Sequence, residues 1–161
     1  MGTGLIQVYY GDGRGKTTAA VGQAIRAASQ GKTVNIIQFL KGKNEEDTSF
    51  IKRLEPEIKL FCFEKSQEVY DQLTEARQSE EAMNIRNGIN FARKVIQTNG
   101  CGLLILDEIL GLLDNKIISM QDIRELIEHK SEEMELIFTG RSLNDELKEL
   151  ADCVTRMETV K

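Results

Sequence analysis

The sequence predicts a three-layer α/β fold with a mainly parallel sheet. Short apolar segments rich in Val, Ile, Leu and Phe alternate along the chain with longer segments that have helical spacing, and this alternation is typical of α/β proteins. Residues 103–106 are apolar at every position, which is typical of a strand covered on both faces. The length of 161 residues favours a single domain over residues 1–161.

The first half of the chain begins with an apolar run that predicts a strand, and a glycine-rich turn and a helix follow it. Gly31 is predicted to end that helix. The predicted elements are, in order, a strand at 5–10, a turn at 11–18, a helix at 19–28, a strand at 33–40, a charged loop at 41–49, a short helix at 50–54 and a strand at 58–63.

The second half is predicted to begin with a long helical region over 68–97, because apolar residues recur there at spacings of three and four. Within it, the charged run 75–81 is either a solvated helix face or a break between two helices. The remaining predicted elements are a strand at 103–106, a helix at 120–130 capped by Ser119, a strand at 134–138, a helix at 142–151 and a strand at 153–160.

The composition indicates a soluble globular protein and excludes several classes. A net charge of −5 disfavours general nucleic-acid binding, no apolar run is long enough to span a membrane, and the N-terminus lacks the pattern of a signal peptide. Cys62, Cys101 and Cys153 lack metal-ligand spacing, so we expect reduced thiols that serve as small core residues in a cytoplasmic protein. The single histidine, His129, lies in an acidic, exposed segment, which disfavours histidine-based catalysis.

The turn between the first strand and the first helix predicts a site for a nucleoside triphosphate. Its glycines let backbone N–H groups point inward at a polyphosphate, and the helix start adds unpaired N–H groups. Lys16 can reach the outer phosphates, and the Thr17 hydroxyl can ligate Mg²⁺. The usual G-x-x-x-x-G-K-[ST] pattern would place its first glycine at Tyr10, so a plain turn is the alternative. The predicted nucleotide contacts are Gly11, Asp12, Gly13, Arg14, Gly15, Lys16, Thr17 and Thr18.

Further candidate residues follow other predicted strands, at the sheet edge where ligands gather in parallel sheets. Asp107 and Glu108 follow the apolar strand, so one of them is expected to join Thr17 at a metal ion. Arg141 follows the next strand and is either a phosphate contact or a surface residue. Arg26 on the first helix and Lys41 after the second strand pose the same choice between nucleotide contact and surface ion pair.

Five collinear segments make the chain resemble the P-loop family of ATP:corrinoid adenosyltransferases. The resemblance implies a P-loop NTPase (RecA-like) fold and extends over nearly the whole chain. The segments are 11–20 (GDGRGKTTAA), 38–42 (QFLKG), 106–109 (LDEI), 139–141 (TGR) and 150–157 (LADCVTRM).

The resemblance also implies a reaction, in which a reduced Co(I) corrinoid attacks the ribose C5′ of ATP and triphosphate leaves. The corrinoid metal is the nucleophile, so no catalytic side chain is needed, and Lys16 and Arg141 are supportive. The amides of Gly13 and Gly15 would hold phosphates, and Thr17 and Glu108 would hold Mg²⁺ or Mn²⁺, with Asp107 less certain. A reductase partner and a homodimer are also implied.

The chain departs from this family in three ways. It has no tryptophan, whereas the family carries a Phe-x-Trp element near the corrin ring. It ends at Lys161, without the usual glycine-containing tail, and Asp12 stands where Asn is frequent. An ordinary P-loop phosphotransferase or NTPase, and a non-catalytic ATP-binding paralogue, therefore stand as alternative functions.

Overall fold

A parallel sheet of six strands forms the centre of the fold. The structure, a computed structural model, describes residues 4–43 and 45–161, and for residues 45–47 it describes the backbone only. The strands are β1 (Ile6–Tyr10), β2 (Val34–Gln38), β3 (Ile58–Cys62), β4 (Leu103–Asp107), β5 (Glu135–Gly140) and β6 (Cys153–Arg156). Their order across the sheet is β3-β2-β4-β5-β1-β6, and every pair of neighbours is parallel. The predicted fold class is confirmed.

Helices cover both faces of the sheet and complete the three layers. They are α1 (Lys16–Ser29), α2 (Glu45–Ile51), α3 (Glu75–Gln97), α4 (Ile109–Asp114), α5 (Met120–Glu128) and α6 (Asp145–Leu150), with single 3₁₀ turns at Lys52–Leu54 and Tyr70–Gln72. Buried residues of α1 share one core cluster with the sheet, and buried residues of α3, α4, α5 and α6 share the other.

Strand β4 lies at the centre of both cores, and all five of its residues are buried. Leu103 and Ile105 belong to the core on the α1 side, whereas Leu104 and Leu106 belong to the core on the α3 side. Successive side chains of a strand point to opposite faces, so a strand between two helical layers is apolar throughout. This is the physical reason for the uniform apolar run in the sequence.

Helix α1 packs on the sheet through small residues, and it begins earlier than predicted. Ala20, Ala24 and Ala27 are its buried positions, and their spacing of four and three places them on one face. The helix starts at Lys16 rather than at residue 19, because the last residues of the glycine-rich turn already form its first turn.

Helix α3 is continuous, so the charged run 75–81 is not a break between two helices. The Thr74 side chain accepts a hydrogen bond from the Arg77 amide and caps the helix at its start. Most of the run is exposed, whereas Glu81 is buried. The expectation of helix from residue 68 is wrong for residues 68–74, which hold only the 3₁₀ turn Tyr70–Gln72.

Several other boundaries differ from the prediction. Helix α2 occupies Glu45–Ile51, so it begins within the stretch predicted as a loop over 41–49 and ends within the short helix predicted at 50–54. Helix α4 at Ile109–Asp114 was not predicted. Strand β6 ends at Arg156 rather than at residue 160. Helix α6 begins after Asn144, whose side chain accepts from the Leu147 amide, so the helical range 142–151 is too long.

The three cysteines differ in burial, so the expectation that each is a core residue is wrong for one of them. Cys101 is buried and Cys62 is half-buried, but Cys153 is exposed on β6, because β6 is the edge strand next to β1. His129 is exposed at the end of α5. In the described part of the chain, no helix is both long enough and apolar enough to cross a membrane.

Candidate nucleotide-binding site

The glycine-rich turn joins β1 to α1 and presents the start of that helix at the sheet edge. Gly15 precedes the first helical residue with φ of 101°, a left-handed backbone conformation that favours glycine. The Lys16 ammonium donates to the Gly13 carbonyl oxygen at 2.7 Å, so the lysine side chain folds back over the turn. The first amides of a helix have no intrahelical partner, and those of α1 begin at this point.

The segment after β6 lies against the same turn. The Gly13 amide donates to the Met157 carbonyl at 2.9 Å, and the Arg14 amide donates to the Thr159 hydroxyl at 3.1 Å. A Cβ on Gly11 would stand 2.3 Å from the Met157 carbonyl oxygen, so glycine admits this close approach. The Gly13 amide, expected to hold a phosphate, is therefore engaged by the chain itself.

Asp107, at the end of β4, is the centre of the site. Its side chain is fully buried and is surrounded by four donors. Oδ1 accepts from the hydroxyls of Thr17 at 3.0 Å and Thr139 at 2.7 Å. Oδ2 accepts from the Lys41 ammonium at 2.7 Å and the Gln38 amide at 3.4 Å. The carboxylate thus joins the helix start after β1 to the ends of β2, β4 and β5.

The alternation of side chains along the strands explains why these groups meet. The polar residues at the ends of β2, β4 and β5 each follow, by two positions, an isoleucine of the core on the α1 side, and residues two apart share a face of the sheet. The pairs are Ile36 and Gln38, Ile105 and Asp107, and Ile137 and Thr139. Each polar side chain therefore points toward the start of α1, where Thr17 lies.

Lys41 follows β2 and reaches both partners of the predicted metal pair. Its ammonium donates to the Thr17 hydroxyl as well as to Asp107. The sequence left Lys41 undecided between a nucleotide contact and a surface ion pair. The structure places it in the site, as an ion pair with a fully buried carboxylate.

Glu108 follows Asp107 in an unusual backbone conformation. Its φ is 64° and it precedes the first residue of α4, and its amide donates to the Thr139 hydroxyl at 2.8 Å. Burial raises the pKa of Glu108 above its ordinary value, and the neighbouring Asp107 raises it further, whereas Lys41, Lys16 and Arg141 act in the opposite direction.

An open cleft of about 370 Å³ begins beside the Glu108 carboxylate. Arg141 is exposed at its rim. The residues that line the cleft are Leu40, Lys41, Val69, Asp71, Glu108, Gly111, Asp114, Asn115 and Arg141.

The oxygen donors at this edge fit a magnesium ion that arrives with a nucleotide. The Thr17 hydroxyl and the Asp107 carboxylate already stand 3.0 Å apart around a lysine ammonium, so the pair is arranged about a positive charge. Mg²⁺ prefers oxygen ligands and is usually held by one or two carboxylates together with substrate phosphates. Within the described ranges no cluster of three or more His, Cys, Asp or Glu residues has the arrangement of a metal site. A magnesium ion that is held partly by substrate phosphates does not need such a cluster.

Other predicted residues lie apart from this centre. Asp12, Arg14 and Thr18 are exposed on the turn and the first turn of α1. Arg26 is exposed in the last turn of α1, roughly 15 Å along the helix axis from Lys16 at 1.5 Å per residue. The structure does not bring Arg26 to the site.

A glycine-rich turn with a lysine at a helix start, next to an acid at the end of a neighbouring strand, defines a P-loop nucleotide-binding protein. The model of the family "ATP:corrinoid adenosyltransferase BtuR/CobO/CobP" matches residues 2–161, and the chain belongs to this family.

Curated relatives agree with the family match. The chain is 30% identical over 158 residues to the corrinoid adenosyltransferase of Escherichia coli (strain K12), covering 98% of this chain and 78% of the relative. It is 26% identical over 161 residues to the corrinoid adenosyltransferase of Pseudomonas aeruginosa, with coverages of 98% and 76%.

Solved structures share the fold at low sequence identity. The KaiC-like protein PH0186 of Pyrococcus horikoshii superposes with a TM-score of 0.63 at 15% identity, over 99% of this chain and 75% of the other. The flagellar accessory protein FlaH of Methanocaldococcus jannaschii gives a TM-score of 0.64 at 14% identity, with coverages of 100% and 74%. At these identities the likeness concerns the fold alone.

Proposed function

We propose that this protein transfers the 5′-deoxyadenosyl group of ATP to the Co(I) centre of a corrinoid and releases inorganic triphosphate. The observation that carries the proposal is the family match over residues 2–161. The Thr17–Asp107 pair beside the glycine-rich turn supports it, since this arrangement suits a magnesium triphosphate.

The reaction balances without a nucleophile from the protein. The electron pair of Co(I) forms a bond to the ribose C5′ while the bond from C5′ to the triphosphate oxygen breaks. The leaving triphosphate keeps the electrons of the broken bond, and the cobalt becomes formally Co(III). The protein then contributes position and charge stabilisation.

The residues of the turn would hold the leaving group. The Lys16 ammonium, now on the Gly13 carbonyl, would move to the outer phosphates, and the first amides of α1 would donate to them. Thr17, Asp107 and Glu108 would hold Mg²⁺, which neutralises phosphate charge when bound. Arg141 at the rim of the cleft would stabilise charge on the departing triphosphate.

Product analysis tests the proposal directly. ATP and a chemically reduced corrinoid, incubated anaerobically with the protein, are expected to give adenosylated corrinoid and triphosphate in equal amounts. Because the cobalt is supplied as Co(I), the assay needs no reductase. The result therefore does not depend on whether a chain without tryptophan can assist the reduction of the corrinoid. Lys16→Ala is the matched control and is expected to lose turnover.

Two other results would assign a different function. ADP and phosphate in place of triphosphate would indicate an ordinary P-loop NTPase or phosphotransferase. ATP binding with no product would indicate a non-catalytic paralogue.

We further expect a homodimer in the cytoplasm that works with a reductase. Light scattering of the purified protein tests whether it is a dimer.

A further inference from the structure

The loop after β2, formed by Leu40, Lys41 and Gly42 and here called the lysine loop, has an unusual backbone. Leu40 has φ of 68° and Gly42 has φ of 69°, so Lys41 lies between two left-handed residues. This conformation is uncommon for a leucine and persists only where surrounding structure holds it. A Cβ on Gly42 would stand 2.7 Å from two carbonyl oxygens of residues 67 and 68, so the loop is also closely packed.

Glu64 is the group that holds this loop. Its side chain is 3% exposed, and its two carboxylate oxygens accept from the amides on either side of Lys41. Oε1 accepts from the Leu40 amide, and Oε2 accepts from the Gly42 amide at 3.2 Å. A buried carboxylate that accepts two backbone amides replaces the water that those amides would otherwise bind. The Tyr70 amide adds a bond to the Leu40 carbonyl at 3.1 Å.

We propose that Glu64 is a positioning residue, which fixes the lysine loop so that the Lys41 ammonium sits between Thr17 and Asp107 as an internal cation until a magnesium nucleotide replaces it. The geometry carries this inference, because the ammonium contacts the same hydroxyl and carboxylate that suit the metal. The inference rests on the proposed function only in that the turn must bind ATP.

The internal cation has a measurable consequence for nucleotide binding. Without Mg²⁺, Lys41 compensates the buried negative charge of Asp107, so phosphates can approach the turn. Removing the Lys41 ammonium leaves the Asp107 charge uncompensated near the phosphates, which weakens ATP binding in EDTA. It also removes the group that competes with Mg²⁺ for Thr17 and Asp107, which favours ATP binding in Mg²⁺. The ratio of the ATP dissociation constant in EDTA to that in Mg²⁺ should therefore rise.

The experiment measures this ratio by calorimetry for the wild-type protein and four variants. The pH is about 8, because burial raises the pKa of Glu64 and a high pH favours its ionised form. Lys41→Met is expected to raise the ratio roughly tenfold. Glu64→Gln, which replaces one acceptor oxygen with an NH₂ donor that faces one of the two loop amides, is expected to raise it about threefold or more. In the double variant, Glu64→Gln should add less than about twofold to the effect of Lys41→Met, because the two residues act through one contact.

Glu81→Gln is the matched control. Glu81 is also a buried carboxylate, 5% exposed, but it accepts from the Lys65 amide and the Asn84 side chain rather than from the lysine loop. A general loss of stability would affect both glutamate variants, whereas the ratio should change markedly only in Glu64→Gln, because Glu81 acts on the lysine loop only through its charge near Glu64. Equal ratios in the two variants, or full additivity with Lys41→Met, would overturn the proposal.

A second measurement needs no variant to fold. In the wild-type protein, hydrogen exchange by NMR should show slow exchange at the Leu40 and Gly42 amides. Exchange at the rates of unprotected amides would contradict the proposed hydrogen bonds from these amides to Glu64. If the wild-type protein binds no ATP, the proposed function and this inference both fail. If ATP binds but Glu64→Gln behaves as Glu81→Gln, only the inference fails.

Discussion

Replacing Asp107 with asparagine tests the central interaction of the site. The substitution preserves shape but turns one carboxylate oxygen into an NH₂ group. If the remaining oxygen keeps the position of Oδ1, the hydroxyls of Thr17 and Thr139 still have an acceptor. The NH₂ group then faces the Lys41 ammonium, which now donates to Oδ2 at 2.7 Å. The variant therefore loses its ion pair and gains a contact between two donors.

The magnitude follows from the burial of the two partners. A hydrogen bond to a charged group contributes about 1.5–3 kcal/mol, and removing a buried charge recovers part of its desolvation cost. The Lys41 side chain is 38% exposed and can turn to water. We expect the free energy of unfolding to fall by about 1–2 kcal/mol. The affinity for ATP with Mg²⁺ should fall by about tenfold to a hundredfold, as for other groups that support a metal.

Urea unfolding and calorimetric titration with ATP at several Mg²⁺ concentrations measure the two effects separately. Asp114→Asn is the control, since Asp114 is an exposed carboxylate of the same cleft, and both quantities should stay near those of the wild type. An Asp107→Asn variant that loses stability but keeps the Mg²⁺ dependence of the wild type would refute the assignment of Asp107 to the metal.

Three further changes have clear expected outcomes. Lys16→Ala should weaken ATP binding by a few kcal/mol, on the order of a hundredfold, because charge-assisted bonds to phosphate are lost, and an unchanged dissociation constant would show that the turn does not hold phosphate. Leu104→Ala, at a fully buried position, should lower the free energy of unfolding by about 2–5 kcal/mol, whereas Leu5→Ala, at a residue that is 44% exposed, should change it by less than about 0.5 kcal/mol; similar urea midpoints would contradict the assigned core. Burial raises the pKa of the Cys101 thiol to about 11 from 9.0, so the folded state holds this proton up to a higher pH than the unfolded state does. The thiol's contribution to the free energy of unfolding is complete below pH 9.0 and is lost as the pH rises to about 11. Cys101→Ala should remove on the order of 2–3 kcal/mol of that decline, and parallel stability curves for the two proteins would contradict it.

The strands could be predicted because a parallel sheet between two helical layers requires apolar runs, and 103–106 is such a run. Helix α4 could not, since it begins directly after the strand through a left-handed Glu108, and no local signal marks that turn. The start of α3 was obscured by charge, because the mostly exposed residues 75–80 look like a break until the cap at Thr74 is seen.

The site was predictable to the extent that it depends on sheet geometry. The turn and the acids after β4 meet because strand ends share an edge, and Thr17 does contact Asp107. Gln38 and Thr139 were missed, although their positions two residues beyond core isoleucines indicated the face on which they lie. Glu64 had no such signal, because its partners are backbone amides 22 and 24 residues away in the chain.

The pairing of β2 with β4 places Gln38 opposite Asp107, and this register also sets which leucines face α3. Deleting one residue inside β4 would reverse the facing of every side chain on one side of the deletion. If the residues after the deletion shift, Asp107 turns toward the α3 side of the sheet and Glu108 takes its position opposite Gln38. Folding and chemistry would then fail together. A change of spacing within the central strand would therefore damage the core and the site at once, whereas a substitution at the exposed Arg26 near the end of α1 would reach neither.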